Sequence, residues 1–219
     1  MAASYFDVYG TLVRTNLVRP TLFYLVNQAT PLRTVRKLGR ALLRAPAMAL
    51  AELQDRRLFN ELLYSAYEGV SEDRIEVLSE EVHEKVLRPA LHSGAFEWVA
   101  RAKDAGHQVV LVSGALASVM RPLARELGAD DLIANHLEMR DRIATGRMLA
   151  PIVAGPTKAR LVREHARAHG HDLDHCHAYS DSHSDVPMLS VVGHPTAMNP
   201  DKQLRRLARA YDWPIVDLG

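Results

Sequence analysis

The chain has 219 residues, enough for one sizeable core domain carrying an insertion. Apolar residues make up 47% of it, which excludes wholesale disorder, and a formal net charge of +1 argues against nucleic-acid binding through bulk electrostatics. Cys176 is the single cysteine, so an intrachain disulfide is excluded.

The start, Met1-Ala2-Ala3-Ser4-Tyr5, lacks a basic segment followed by an apolar run, and no stretch reaches the roughly 20 apolar residues of a membrane span. A cytoplasmic protein without a signal peptide is expected. Tyr5 to Val8 reads as a short buried strand closed by Tyr9-Gly10-Thr11. A helical region follows from about Pro20 to Val86, divided at Pro31, Pro46 and Gly69. Its clearest helix opens at Ser71-Glu72-Asp73, a cap residue followed by acids that suit the helix dipole. Ile75, Leu78, Val82 and Val86 then share one apolar face.

Beyond Pro89 strands alternate with helices. A helix from about Gly94 to Ala105 precedes a β-branched run from Gln108 to Val112, bounded by Ser113-Gly114. A second helix runs to Leu127 and stops at Gly128. Extended pieces cover Asp131 to Met139 and Ile143 to Arg147, and a helix covers Lys158 to His169. A short strand from His177 to Ser180 runs into a polar turn, followed by a helix over roughly Lys202 to Tyr211 and an edge strand at Pro214 to Val216. The pattern predicts an α/β fold, a Rossmann-like parallel sheet with an inserted helical cap. The expected core is residues 1–15 and 88–219, and the expected cap is residues 16–87.

In such sheets reactive groups gather at the carboxyl ends of strands. The turns after Val8, Val112 and Ser180 would therefore converge. They bring Asp7, Gly10 and Thr11, then Ser113 and Gly114, then Asp181 and Asp185, while Lys158 begins a helix. A carboxylate nucleophile, a hydroxyl, a lysine and two further carboxylates form an oxygen-rich group suited to magnesium and to in-line attack on a phosphoryl group.

Phe6-Asp7-Val8-Tyr9-Gly10-Thr11-Leu12 resembles the first motif of the haloacid dehalogenase superfamily, aspartate-x-aspartate-x-threonine. Val112-Ser113-Gly114 is similar to the second motif, Lys158 falls where the third places its lysine, and Tyr179-Ser180-Asp181 through Asp185-Val186-Pro187-Met188-Leu189 looks like the fourth. Four motifs in order, over about residues 4 to 200, are far more specific than any one. The helical insertion resembles the subfamily that includes phosphoserine phosphatase. The resemblance implies that Asp7 attacks to form an aspartyl intermediate, while Thr11, Ser113, Gly114 and Lys158 bind the phosphoryl group of a small phosphorylated molecule. It also implies that Asp7, Asp181 and the backbone carbonyl of Tyr9 ligate Mg2+, and that Asp185 supports the metal shell or orients Lys158.

The departure from the family pattern is Tyr9. Phosphatases of the superfamily carry there a second aspartate, which protonates the leaving group and then activates water. A tyrosine, with an unperturbed pKa near 10, is a poor base at neutral pH. True dehalogenases have a tyrosine at this place, but their fourth motif lacks the metal-binding carboxylate that Asp181 provides here. The favoured reading is a magnesium-dependent phosphatase, slowed by Tyr9. The rivals are a 2-haloacid dehalogenase, for which Arg33, Arg36 and Arg40 would be cap arginines, and a phosphate-binding pseudoenzyme. Asn16 occupies the place where phosphoserine phosphatases carry a glutamate for the substrate amine, which argues against phosphoserine.

Other features have plainer readings. The basic amphipathic stretch Arg33 to Arg44 suits an anionic membrane surface or an acidic substrate tail, but a solvated helix face is preferred. His165, His169, His171, His175, His177 and His183 form a loose group, read as surface histidines rather than a metal site; only His165 and His169 have helix-face spacing. His183, inside the fourth-motif turn, is a candidate to take over acid/base work. Cys176, Trp98 and Trp213 read as packing, and the sequence does not decide whether Asn135 and Asn199 face the site.

Overall fold

The computed structural model of the chain describes residues 2–27, 39, 43, 46–48 and 56–218. Strand β1 (Ala3–Asp7) leads into helices α1 (Val18–Val26), α2 (Arg56–Tyr64) and α3 (Glu72–Val82), then α4 (Ala95–Asp104) and β2 (Gln108–Leu116). Helix α5 (Ala117–Leu127) joins β2 to β3 (Asp131–Asn135), and a hairpin of β4 (Leu137–Arg140) and β5 (Ile143–Met148) follows. Helix α6 (Pro156–His169), β6 (His177–Ser180), α7 (Val186–Leu189), β7 (His194–Met198), α8 (Lys202–Ala210) and β8 (Ile215–Val216) complete the order.

Six strands form one parallel sheet in the order β3-β2-β1-β6-β7-β8. Both faces are covered, so β1 is buried along its whole length rather than alternating between core and solvent. Phe6 joins one core with Val109, Leu111 and Tyr179, while Tyr5 joins the other with Val110, Val112 and Ala178. Strand order reverses at β1, with β2 and β3 on one side and β6, β7 and β8 on the other. A crevice therefore opens beyond the carboxyl ends of β1 and β6, the usual place for a ligand in a doubly wound sheet.

The helices between β1 and β2 pack through tyrosines. Tyr24 on α1 donates from Oη to the Ile75 carbonyl at 3.0 Å and lies 2.7 Å from Ser79 Oγ, and its ring stacks obliquely on Tyr67 at 4.7 Å. Helix α3 is capped as its sequence predicts: the Ser71 hydroxyl accepts from the Arg74 amide, and Glu72 and Asp73 occupy the first turn. Ile75, Leu78 and Val82 are buried, whereas Val86 lies half-buried in a π-helical turn, His83–Leu87, that prolongs the helix. Arg142 of the β-hairpin pairs with Glu72 and Asp73, tying the hairpin to the start of α3.

Three differences from the sequence reading have physical causes. Strand β2 continues past Val112 to Leu116, because its pairing with β3 shifts register between Val112 and Leu116 instead of ending there. Strand β7 was not anticipated: a proline inside a strand argues against one, yet Ala178↔Pro195 is a register pair beside β6. The last helix stops at Ala210, leaving Tyr211 exposed. The stretch Arg33 to Arg44, including Arg33, Arg36 and Arg40, lies outside the described residues apart from Gly39 and Leu43. Among the described residues, no helix is long and apolar enough to cross a membrane.

Candidate active site

The crevice holds a cavity of about 190 Å³. Asp7, Tyr9, Gly10, Gly114, Lys158, Asp181 and Asp185 line it together, so the turns after β1, β2 and β6 and the start of α6 do converge. Asp7 closes β1, and its side chain is held from both sides. Lys158 Nζ donates to Oδ1 at 2.6 Å and Thr11 Oγ1 donates to Oδ2 at 3.1 Å. Lys158 also donates to Asp185 Oδ2 at 2.6 Å, and Ser180 Oγ donates to that same oxygen at 2.8 Å. Asp7, Lys158 and Asp185 are at most 6% exposed, which makes the ammonium between two carboxylates strongly bound rather than a surface pair.

Charge is not balanced in this cluster. Asp7, Asp181 and Asp185 face one lysine. Burial opposes the Lys158 charge, but Asp185 and Asp7 outweigh it and raise its pKa. Burial likewise pushes the Asp7 carboxyl up against the pull of Lys158. With the ammonium at 2.6 Å and its own pKa raised, we take the ionised pair as the working state. Asp181 is pushed up to about 8, by burial first and then by the charges of Asp7 and Asp185. Its contacts with Thr11 do not relieve this: Thr11 Oγ1 lies 3.3 Å from Oδ1 but also 3.1 Å from Asp7, and has one proton to give. Gly10, at φ +84°, lets the loop pass under the Asp181 carboxylate; a Cβ there would collide with it.

Helix α6 presents its amino terminus to the same cavity. Gly155 precedes it at φ 48°, ψ −128°, a conformation suited to glycine, and Pro156 occupies its first turn. Gly155 and Lys158 therefore bring a bare backbone and a cation to one wall, where the helix dipole favours an anion. Ser113 is fully buried behind Gly114, and its Oγ accepts from the Ala115 amide at 3.1 Å, which leaves its hydroxyl proton to donate. Thr11, also fully buried, braces Asp7 and accepts from the Asp181 amide at 3.0 Å.

Tyr9 lines the cavity, but its hydroxyl is turned into protein. Oη is buried with no hydrogen-bond partner among the described residues. Burial raises its pKa well above 10, with further increments from Tyr64, Tyr24 and Asp7.

Asn135 and Asn199 brace the site from behind. Asn135 donates to the Gly114 carbonyl and accepts from the Val153 amide, both at 2.8 Å, joining the second-motif turn to the segment before α6. Asn199 donates to the carbonyls of Thr11 at 3.1 Å and Gly10 at 3.3 Å. Asn16 spends its side-chain oxygen on the amides of Val18 and Arg19, at the start of α1. Phe59 and Asn60, from α2, form a wall that no sequence motif singles out; Asn60 donates weakly to the Gly114 carbonyl at 3.5 Å. His183 is exposed, donates its amide to Asp201, and is not among the cavity-lining residues. Cys176 is buried and accepts from the Ala3 amide, as a packing residue. The histidine group is less uniformly superficial than expected, since His165 is buried.

The sequence profile of haloacid dehalogenase-like hydrolases matches residues 5–190. The chain belongs to that family. An "Inhibition of morphological differentiation protein" of Streptomyces azureus is 41% identical over 142 residues, which cover 65% of this chain and 51% of that protein. "Phosphoserine phosphatase SerB1" of Mycobacterium tuberculosis is 39% identical over 150 residues, covering 68% of this chain and 49% of that one. The chain thus spans about half the length of the curated relatives it matches. A protein of unknown function from Bordetella pertussis Tohama I has a crystal structure that superposes with a TM-score of 0.84 at 27% identity, covering 100% of this chain and 99% of that one. Family membership and the parallel sheet agree with the motif reading.

Proposed function

We propose that the chain is a magnesium-dependent phosphomonoester hydrolase that works through an aspartyl-phosphate on Asp7, with slow release of that intermediate. The observation that carries this reading is the charge count in one cavity: three carboxylates against a single lysine. The donor set fits a hard divalent cation. It is all oxygen, and Asp181 is the carboxylate left without a cation. Asp7, Asp181 and the Tyr9 backbone carbonyl would hold Mg2+, which when bound supplies charge neutralisation for the phosphoryl oxygens.

The protein's own groups perform the rest. Lys158 holds Asp7 ionised and in place, and its remaining charge faces the phosphoryl group. The Gly114 backbone and the amino end of α6 bind phosphoryl oxygens, while Ser113, fully buried and not among the cavity-lining residues, stands behind them. Asp7 attacks phosphorus, the bond to the leaving oxygen breaks, and that oxygen departs with the electron pair. Water must then attack phosphorus to return the Asp7 carboxylate and inorganic phosphate. Tyr9 serves neither proton transfer, because its hydroxyl is buried with a raised pKa. Leaving groups that need no protonation, such as aryl alcohols, are the expected good substrates. Asn16, committed to α1, offers no carboxylate for the amine of phosphoserine.

We assign residues 1–15 and 88–219 to the catalytic core and 16–87 to the cap. Phosphate release from an aryl phosphate, with and without Mg2+, tests the activity. Release dependent on Mg2+ is expected; halide release from a 2-haloacid instead would favour the dehalogenase, for which the Tyr9-Gly10-Thr11 run is the specific argument.

A further inference from the structure

A second group of ligating side chains lies at the edge of the sheet, level with Tyr5 in the strand register. Asp131 opens the edge strand β3, and His165 and His169 stand one turn apart near the end of α6. One ligating atom from each lies within 4.8 Å of the other two. His165 Nε2 is 3.2 Å from Asp131 Oδ2, and the rings of His165 and His169 stack at 4.1 Å.

The partners of these groups orient them. Tyr5, fully buried, sets its hydroxyl 3.0 Å from His165 Nδ1, so Nε2 is the nitrogen turned toward Asp131. His169 Nδ1 lies 2.9 Å from the His165 carbonyl, which can only accept; Nδ1 must carry the proton, and the neutral ring keeps its lone pair on Nε2. Asp131 Oδ1 accepts from the Leu132 amide at 2.7 Å, which directs Oδ2 at the histidines. Outer hydrogen bonds of this kind fix ligands around transition ions. His171, the next histidine along, is drawn aside by a 2.6 Å bond from Nε2 to Gln108.

We propose that Asp131, His165 and His169 bind a divalent transition ion of the zinc class, which clamps the end of α6 to the edge strand β3. Two imidazoles and a carboxylate suit Zn2+ better than Mg2+, and leave a fourth position for water. Metal–ligand bonds of about 2.0–2.2 Å require the three groups to close in slightly. The exposed His169 and the 43%-exposed Asp131 side chain have room to do so.

The test is a calorimetric titration of untagged, chelator-treated protein with ZnCl2, together with thermal melts. One equivalent should bind to the wild-type chain and to Asp181→Asn, and should raise the melting temperature. His169→Ala, at an exposed position, should weaken binding at least about tenfold without changing the metal-free melt or Mg2+-dependent turnover. Tyr5→Phe keeps the ring but removes the hydroxyl on His165, and should weaken binding about ten- to a hundredfold. His175→Ala, outside the group, should bind as the wild type does. The proposal is overturned if no saturable Zn2+ binding occurs, if His169→Ala binds equally well, or if Asp181→Asn alone abolishes binding, which would place the ion in the catalytic cavity.

Discussion

The two flanks of Asp7 are built to different standards. On one side Lys158 bridges Asp7 and Asp185 with two 2.6 Å bonds, and Ser180 and Thr11 complete the shell. On the other, Tyr9 has a buried hydroxyl near Tyr24 and Tyr64 with no hydrogen-bond partner among the described residues. A buried hydroxyl without a partner costs about 1–3 kcal/mol, and a ring that packs against the core offsets some of that. In the proposed reaction the contrast separates two halves. The groups that would hold an anion and attack it are supported, while the Tyr9 hydroxyl is not placed to shuttle a proton.

The harshest way to break the comparison is to damage its stronger side. Asp7→Asn should abolish turnover, with a loss on the order of a thousandfold or more, because no other carboxylate takes its place at the end of β1. Lys158→Met should do similar damage to turnover and cost about 3–5 kcal/mol in urea unfolding, since it leaves two buried carboxylates without their cation. Full stability in Lys158→Met would show that the ion pair is not formed as described.

Repairing the weaker side comes next. Tyr9→Asp should raise Mg2+-dependent steady-state phosphate release by about a hundred- to ten-thousandfold, the usual contribution of a general acid/base. The wild-type chain should instead release a burst of aryl alcohol, close to one equivalent, followed by slow phosphate release. A Tyr9→Asp protein that folds, keeps the burst and gains no steady-state rate would remove the assignment of Tyr9 as the cause of slowness.

The stronger flank was legible in the sequence and the weaker one only in part. Asp7, Lys158, Asp181 and Asp185 stand at strand ends and a helix start, positions that alternating strands and helices already bring to one crevice. Strand β7 escaped because its pairing is decided by a neighbour, β6, and not by its own proline-bearing composition. Asn135 and Asn199 stayed undecided for a related reason: their partners are backbone groups of Gly114, Val153, Gly10 and Thr11, and side-chain patterns carry no record of such bonds. The burial of the Tyr9 hydroxyl near Tyr24 and Tyr64 depends on residues 15 and 55 positions away, whose approach only the folded chain defines.

A smaller effect should appear in the pH dependence of stability. The Asp181 pKa rises from 3.8 to about 8 on folding. The folded state then holds its proton while the unfolded chain releases it, so the stabilising contribution is present below about pH 4 and is lost as pH rises toward 8. Metal-free protein should therefore lose melting temperature across that window on account of Asp181. Saturating Mg2+ should reduce the loss, by offsetting the Asp7 and Asp185 charges that help to raise the pKa, and Asp181→Asn should flatten it without metal. An equal slope in Asp181→Asn would assign the effect to another group.

The mildest change probes the contrast most directly. Tyr9→Phe removes one oxygen and keeps the ring that packs with the core. If the hydroxyl were a proton donor to the leaving group, its loss would cost about a hundredfold or more with an alkyl phosphate. Its burial without a partner and its raised pKa predict the opposite: turnover within about twofold of wild type, and stability unchanged or higher by up to about 1 kcal/mol, because a polar group no longer has to be desolvated. Rates on aryl and alkyl phosphates, measured beside a urea melt, decide it. A large loss confined to the alkyl phosphate would mean that the hydroxyl swings into the cavity when substrate binds, and the two flanks of Asp7 would then be alike in function despite their different construction.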